Sequence, residues 1–240
     1  MTSEDPDAPL PSEPDVQVAT GDPGALDAAG TIHSDLAQSF EGHAQALSSA
    51  ASSLDATWNG EAAAEYQALS GFITNHFQTA ATHSRSAANT LHRYAGELDR
   101  CQQEGLHALR MAEKALQEAQ EWTKRLTAAR QAVKRASDDL QGAQQALAGA
   151  SSQGPRGAAA AGTARQAISA AQDALHTAQG QERTAHQQVT NFRGELARWE
   201  TRGADIFGEA RMAAVNATGS LEPLALAPPP LAVVVPRNAP

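Results

Sequence analysis

The sequence contains a single cysteine, Cys101, and few aromatic residues. One cysteine excludes an intramolecular disulfide and a metal cluster held by several thiolates. No stretch approaches the ~18 consecutive apolar residues that a membrane helix needs. Pro228, Pro229 and Pro230 interrupt the one apolar run near the C-terminus. We therefore predict no stable membrane span and no cysteine-based metal site.

Basic residues are missing from the first 84 positions, where twelve acidic side chains precede the first base, Arg85. An acidic N-terminus without a basic or apolar region predicts that there is no cleaved secretory signal peptide. Beyond residue 84, the bases are interleaved with acids over the rest of the chain. Nucleic-acid binding requires a concentrated basic stripe, so we predict no nucleic-acid partner.

The middle of the chain is rich in Ala, Gln, Glu, Arg and Leu and poor in β-branched residues. These residues favour helices, and the composition is close to that of coiled coils. Alanine buries little area, so a thick globular core is not expected. The sequence predicts an all-α fold made of elongated antiparallel helical hairpins, with one long central helix flanked by two shorter ones.

Changes in composition and helix-breaking residues divide the chain into four predicted segments. Residues 1–21 have the composition of a disordered acidic tail. Asp22 and Pro23 are suited to the N-cap and first position of a helix, which opens a first hairpin over 22–100. A second hairpin is predicted over 101–218, with its turn at 150–157 and its last helix fading near Ala217. A Pro-rich tail or linker occupies 219–240.

Apolar residues recur at alternating spacings of four and three, which predicts heptad seams. We expect the first-hairpin seam at Leu36, Phe40, His43, Leu47, Ala50 and Leu54, opposite Ala62, Tyr66, Leu69, Ile73, His76, Ala80, His83 and Ala87. The second-hairpin seam is expected to include Ala112, Leu116, Leu126, Val189 and Leu196. No proline or turn cluster lies between Gly60 and Gly149, so the central helix should be continuous. The register places Arg85 near Asp35, Arg93 near Asp27 and Arg130 opposite Glu182.

The tripeptide Trp58-Asn59-Gly60 separates the first two helices. Glycine allows a tight reversal of the chain, and Asn59 is suited to cap the helix that follows. The Trp58 ring is large enough to close the end of a hairpin built from alanines. On structural grounds alone, these residues predict a helical hairpin with a tryptophan at its tip.

With Gly21-Asp22-Pro23 ahead of the first helix and Trp58-x-Gly60 at the turn, residues 20–100 resemble the WxG family. These proteins are helical-hairpin substrates of the type VII (ESX) secretion system of actinobacteria and Gram-positive bacteria. The closest likeness is to the N-terminal targeting domains of larger secreted effectors and toxins. The resemblance implies recognition through Asp22, Pro23, Trp58, Gly60 and the region of Tyr94.

The chain departs from the family at one position. The family's export motif is Tyr-x-x-x-Asp/Glu on the second helix, but here Leu98 stands four residues after Tyr94. Glu97 and Asp99 lie on either side of the required position. The departure predicts that a helical partner carrying the motif accompanies this chain.

No catalytic or cofactor-binding pattern is present in the sequence. It contains no nucleophile elbow, phosphate-binding glycine loop or convergent pair of carboxylates, so we predict neither an enzyme nor a cofactor. No two of the eight histidines have the i, i+4 spacing of a helical metal pair, and we predict no metal site. Cys101 lies on the predicted seam, where a buried thiol is favoured over an intermolecular disulfide.

Two functional hypotheses remain. The first is a non-enzymatic type VII secretion substrate or targeting module, exported as a folded hairpin and serving as the delivery part of a toxin or effector. Its partners would be the secretion ATPase and a WxG-family helical protein or a second copy of itself. It would be cytoplasmic before export and then secreted or displayed at the cell surface. The alternative is an intracellular coiled-coil scaffold without an export role.

Overall fold

The computed structural model describes residues 8–55, 57–152 and 154–225. Three α-helices follow one another: α1 (Pro23–Asp55), α2 (Glu61–Ser152) and α3 (Ala158–Ala225). A short 3-10 turn, Gly154–Gly157, precedes α3. No strand occurs among the described residues, and the all-α prediction is confirmed.

Helix α2 is continuous over 92 residues, as the missing proline and turn signals predicted. The break expected at 150–157 is also present, where Gly154 adopts a positive φ of 62°. The start of α1 follows the predicted capping pattern. The Asp22 Oδ1 atom accepts a hydrogen bond from the Ala25 amide at 3.0 Å, and Pro23 is the first helical residue.

The chain divides into two compact units, and α2 and α3 contribute residues to both. Among the described residues, the first-hairpin unit consists of 18–105 and 205–225. The second-hairpin unit consists of 8–17 and 106–204. Each unit therefore contains part of α2 and part of α3, together with one further segment of the chain.

The core of the second-hairpin unit follows the predicted seam. Ala112, Leu116, Leu126, Val189 and Leu196 are all buried. Trp199 packs against the cluster around Leu116 and Leu196, and Trp122 packs against the cluster around Leu126 and Val189. The Arg130 Nε atom lies 3.5 Å from Glu182, which confirms the predicted register.

The first-hairpin seam differs from the prediction by about one residue. Ala37, Ala44, Ala63 and Ser70 are among the buried residues, as is the predicted Ala87, whereas Leu36 remains 42% exposed. Small side chains allow the two helix backbones to approach closely, which moves the larger apolar side chains to one side of the interface. Phe40 lies there against Phe77 on α2, with 6.2 Å between the ring centroids.

Two predicted ion pairs of the first hairpin have different partners in the structure. Arg85 pairs with Glu41 rather than Asp35. Asp27 binds His92, the neighbour of Arg93, at 2.7 Å. These partners lie within two turns of the predicted positions, so the overall register of the hairpin is retained. The rotamer and length of each charged side chain determine which of several neighbouring residues it pairs with. A heptad pattern does not specify these rotamers.

The N-terminal segment differs from the expected disordered tail. Residues 8–22 form an extended segment with no helix of its own, and residues 1–7 lie outside the described part. Leu10 and Val16 pack against the Leu116–Leu196 cluster of the second-hairpin unit. The prolines prevent a helix in this segment. Leu10 and Val16 can therefore both contact the cluster around Leu116 and Leu196 from an extended chain.

Helix α3 continues beyond the predicted fading point at Ala217 and ends at Ala225. In this extension, Leu221 and Leu224 line a cavity together with His33, His83 and Ala87 of the first hairpin. Most of the predicted tail, residues 226–240, lies outside the described residues.

Candidate functional site

The start of α1 and the Tyr94 region of α2 lie side by side. Gly21 has a positive φ of 137°, and a Cβ atom at this position would lie 2.9 Å from Leu98 Cδ2. The Gln102 side-chain amide donates a hydrogen bond to the Gly21 carbonyl at 3.0 Å. The Gly21-Asp22-Pro23 start is thus fixed to the α2 turn that follows Tyr94.

This contact determines the environment of the position at which the family motif has an acid. Leu98 is only 2% exposed, because Gly21 packs on it. Tyr94 is half-buried, and Glu97 and Asp99 flank Leu98 with greater exposure. The Gln103 amide donates a hydrogen bond to Asp99 at 2.8 Å. A carboxylate in place of Leu98 would be desolvated, so the leucine suits this fold better than an acid does.

The Trp58 turn closes α1 and opens α2 through backbone hydrogen bonds. The Leu54 carbonyl accepts bonds from the Thr57 amide at 3.0 Å and the Trp58 amide at 2.9 Å. Gly60 has a φ of 113°. Its carbonyl accepts the Ala64 amide at 3.2 Å, so Gly60, rather than the predicted Asn59, directly precedes and caps α2.

The side chain of Trp58 is only partly covered. It is 40% exposed, and its ring lies 5.8 Å from that of Tyr66 at an angle of 50°. The sequence predicted a ring that closes the tip of the hairpin. The observed ring covers Tyr66 on one side and leaves a substantial aromatic surface accessible at the turn between the two helices.

The predicted site residues therefore occupy two places in the first-hairpin unit. Asp22 and Pro23 lie at the start of α1, which contacts the α2 turn after Tyr94 through Gly21. Trp58 and Gly60 form the turn at the other end of α1. The predicted register, which placed Arg93 near Asp27, brings the α1 start level with Leu98. The close contact between Gly21 and Leu98 was not predicted, although Gly21 next to a helix cap was a usable signal for it.

Cys101 lies one turn beyond Leu98 and is fully buried. Burial raises the pKa of its thiol, and the nearby Arg100 opposes this rise only in part. Arg100 forms ion pairs with Glu209 at 2.9 Å and Glu104 at 3.0 Å. These hydrogen bonds raise the pKa of the guanidinium, with Glu209 contributing most. Helix α3 is thus attached to α2 at Glu209, close to the Tyr94 region.

An open groove of about 600 Å³ lies in the second-hairpin unit, lined by Trp122, Arg125, Ala129, Gly180 and Thr184 among others. The Arg125 guanidinium lies 4.4 Å from the centre of the Trp122 ring, in cation–π contact. The groove contains no convergent acids or histidines. Throughout residues 8–225, wherever the structure describes the chain, no group of three or more His, Cys, Asp or Glu could hold a metal ion.

The family model described as a putative T7SS secretion signal domain matches residues 11–208. The chain belongs to this family. The match begins in the extended N-terminal segment and ends in α3, so the secretion signal domain takes in both helical hairpins rather than the first alone. No curated protein is similar enough to the chain to count as a match.

No helix in the described ranges combines the length and the apolar character needed to cross a bilayer.

Proposed function

We propose that this type VII secretion signal domain is exported as a folded helical protein, recognised through its first hairpin, as the delivery part of an effector or toxin. The match to the secretion signal family over residues 11–208 carries this proposal. The secretion ATPase is the proposed reader of the domain, and no chemical step is assigned to the chain itself.

Two surfaces of the first hairpin are proposed to be recognised by the secretion ATPase. The Trp58 ring offers an exposed aromatic surface at the turn, and aromatic side chains are favoured anchors in protein interfaces. Tyr94 lies beside the α1 start that Gly21, Asp22 and Pro23 form. These surfaces are held by backbone hydrogen bonds and close packing, so the fold presents them in fixed positions.

The buried Leu98 supports the involvement of a partner. Since Leu98 stands four residues after Tyr94, the Tyr-x-x-x-Asp/Glu motif is not formed there. A WxG-family helical protein that carries the motif would supply it in a complex. We therefore expect weak export of the protein alone and stronger export when such a partner is co-expressed.

Export of the full chain by cells that have a type VII system tests the two surfaces. Trp58→Ala and Tyr94→Ala should each lower the secreted fraction at least tenfold. Leu54→Ala is the matched control for Trp58, because Leu54 lies at the same turn and is 39% exposed. Undiminished secretion of both Trp58→Ala and Tyr94→Ala would contradict recognition through the first hairpin.

Stability measurements separate recognition from folding in this experiment. Truncating a fully buried Trp costs ~3–5 kcal/mol, and the partly exposed Trp58 should cost less, about 2 kcal/mol. A loss of export in a variant that still unfolds cooperatively, well above the growth temperature, supports recognition. A loss that merely tracks the fall in stability across the three variants contradicts it.

The alternative is an intracellular scaffold without an export role, and the missing acid after Tyr94 is the observation that favours it. In that case the protein would stay in the cell even with a motif-bearing partner present.

A further inference from the structure

Residues 8–17, which we call the arm, lie in a groove between α2 and α3 of the second-hairpin unit. Leu10 and Val16 pack against a buried cluster that both helices form, and the Trp199 ring packs against the same cluster. Gly203 provides the socket for Val16, because a Cβ atom at this position would lie 2.7 Å from Val16 Cγ1. The groove thus accepts two apolar side chains that are six residues apart along the arm.

Two hydrogen bonds hold the arm by its main chain. The Arg193 guanidinium donates to the Ala8 carbonyl, and the Asp15 amide donates to Glu200 at 3.1 Å. Carbonyls and amides belong to the backbone of almost every residue. These two contacts therefore fix the direction of a bound segment without specifying its side chains.

The arm has the properties of a peptide ligand. Pro9, Pro11 and Pro14 favour an extended backbone, and proline-rich extended segments bind grooves that contain aromatic rings. Every residue of the arm is exposed or only partly buried. Docking of the arm therefore buries little surface, and the arm can leave the groove while the helices stay folded.

The arm leaves part of its groove unfilled. Cavities of about 270 Å³ and 440 Å³ lie beside its first three residues. Leu126 contributes an apolar wall to the larger cavity, and Leu196 contributes one to the smaller. A ligand with a larger apolar side chain at the place of Leu10 would bury more surface than the arm does.

Cations line the larger of these cavities. Lys124, Arg130 and Arg193 lie along it, and the described residues that line it include no acid. Lys124 and Arg130 each pair with a neighbouring glutamate as well, but exposed ion pairs of this kind are weak. The cavity is therefore suited to an acidic residue of a ligand.

We propose that this groove is a docking site for an extended, proline-containing acidic peptide of a partner protein. The arm occupies the groove as an internal ligand that the partner displaces. The partner's peptide has a large apolar residue at the place of Leu10, a branched residue at the place of Val16, and acids near its N-terminal end. The proposal is independent of the export role, because it concerns the second-hairpin unit alone.

Binding of a synthetic peptide to the full chain tests this proposal. The probe is a fluorescein-labelled peptide with the sequence of residues 8–17, carrying Leu10→Trp and three added N-terminal aspartates. In the protein, Leu10→Ser combined with Val16→Ser releases the arm and leaves the groove unchanged. Fluorescence anisotropy should show at least about tenfold tighter binding by this double variant than by the wild-type chain, because the tethered arm competes at a high effective concentration. Equal affinities, or no saturable binding below about 1 mM, overturn the proposal.

Two further variants locate the binding site. In the chain with the released arm, Gly203→Ala should weaken binding of the probe at least about tenfold, because the added methyl group occupies the socket of the branched residue. Gly194→Ala, also on α3 but with open space around the new Cβ, should leave the affinity unchanged. Equal binding by these two variants contradicts the groove as the site.

A second probe, with three serines in place of the added aspartates, tests the charge of the ligand. It should bind at least about threefold more weakly than the first probe at low ionic strength, and equally at about 1 M salt. Equal affinities at low ionic strength contradict an acidic ligand. If the wild-type chain instead forms dimers that the double variant does not form, the occupant is the arm of a second copy and the partner peptide is wrong.

Discussion

At the scale of single residues, the candidate site is determined by backbone packing against a buried side chain rather than by exposed reactive groups. Gly21 lies so near Leu98 that a Cβ atom would fall within 2.9 Å of it. The same contact buries the leucine that stands where the family motif has an acid. The sequence predicted Asp22, Pro23 and the departure at Leu98 separately. The contact joining them depends on tertiary packing, which no local pattern contains.

Gly21→Ala should destabilise the first-hairpin unit by ~1–3 kcal/mol, because the side chain adds strain at positive φ and presses on Leu98. Gly42→Ala is the matched control, since a Cβ there has open space and alanine favours a helix by up to ~1 kcal/mol. Urea unfolding of the full chain measures both. Shifts of the same sign and size would contradict the proposed contact.

The buried Cys101 gives a pH-dependent prediction. Its folded-state pKa is raised above the ordinary value of 9.0, so the stabilisation is complete below about pH 9 and is lost as pH rises above it. The urea midpoint of the wild-type protein should therefore fall above pH 9 relative to that of Cys101→Ala. Identical pH profiles, or rapid reaction of the native thiol with a disulfide reagent at pH 8, would contradict this.

At the scale of elements, the seams of the two hairpins were not equally predictable. In the second hairpin, large residues such as Leu126 and Val189 occupy the buried seam positions. The alternating 4,3 spacing predicted these positions correctly. In the first hairpin, some large residues have a small neighbour, as in Leu36-Ala37 and Leu69-Ser70. A hydrophobicity pattern selects the larger one, whereas close helix approach requires the smaller one at the centre.

The extended N-terminal segment was missed for a related reason. Its composition resembles that of a disordered tail, yet Val16 fits where Gly203 lacks a side chain, and a Cβ there would lie 2.7 Å from Val16 Cγ1. The Asp15 amide also donates a hydrogen bond to Glu200 at 3.1 Å. Only the complementary groove on α3 shows that these few apolar residues have a partner.

Gly203→Ala should release this segment from the second-hairpin unit. A branched valine has little rotational freedom to avoid the added methyl group, so amide exchange over residues 8–17 should accelerate at least tenfold. Gly194→Ala, also on α3 but with open space around the new Cβ, should leave exchange unchanged. Hydrogen–deuterium exchange of the full chain measures both, and equal rates in the two variants would contradict the packing described.

At the scale of the whole molecule, the family match joins the extended segment, both hairpins and most of α3 in one secretion signal domain. The resemblance predicted from the sequence covered only residues 20–100, because Trp58-x-Gly60 and the Gly21 start are local motifs. The second hairpin has no comparable motif, although its heptad seam is the more regular of the two. Its inclusion in the family domain could not be inferred from short motifs.

Secretion of the full chain with and without the type VII ATPase tests the central claim most directly. The protein is expressed together with a WxG partner that carries the Tyr-x-x-x-Asp/Glu motif, and the culture supernatant is compared with a cytoplasmic marker of lysis. The account predicts that the protein reaches the supernatant only when the ATPase is present, while the marker stays in the cells. Equal amounts in the supernatant without the ATPase, or retention in the cells despite both partner and ATPase, would contradict it.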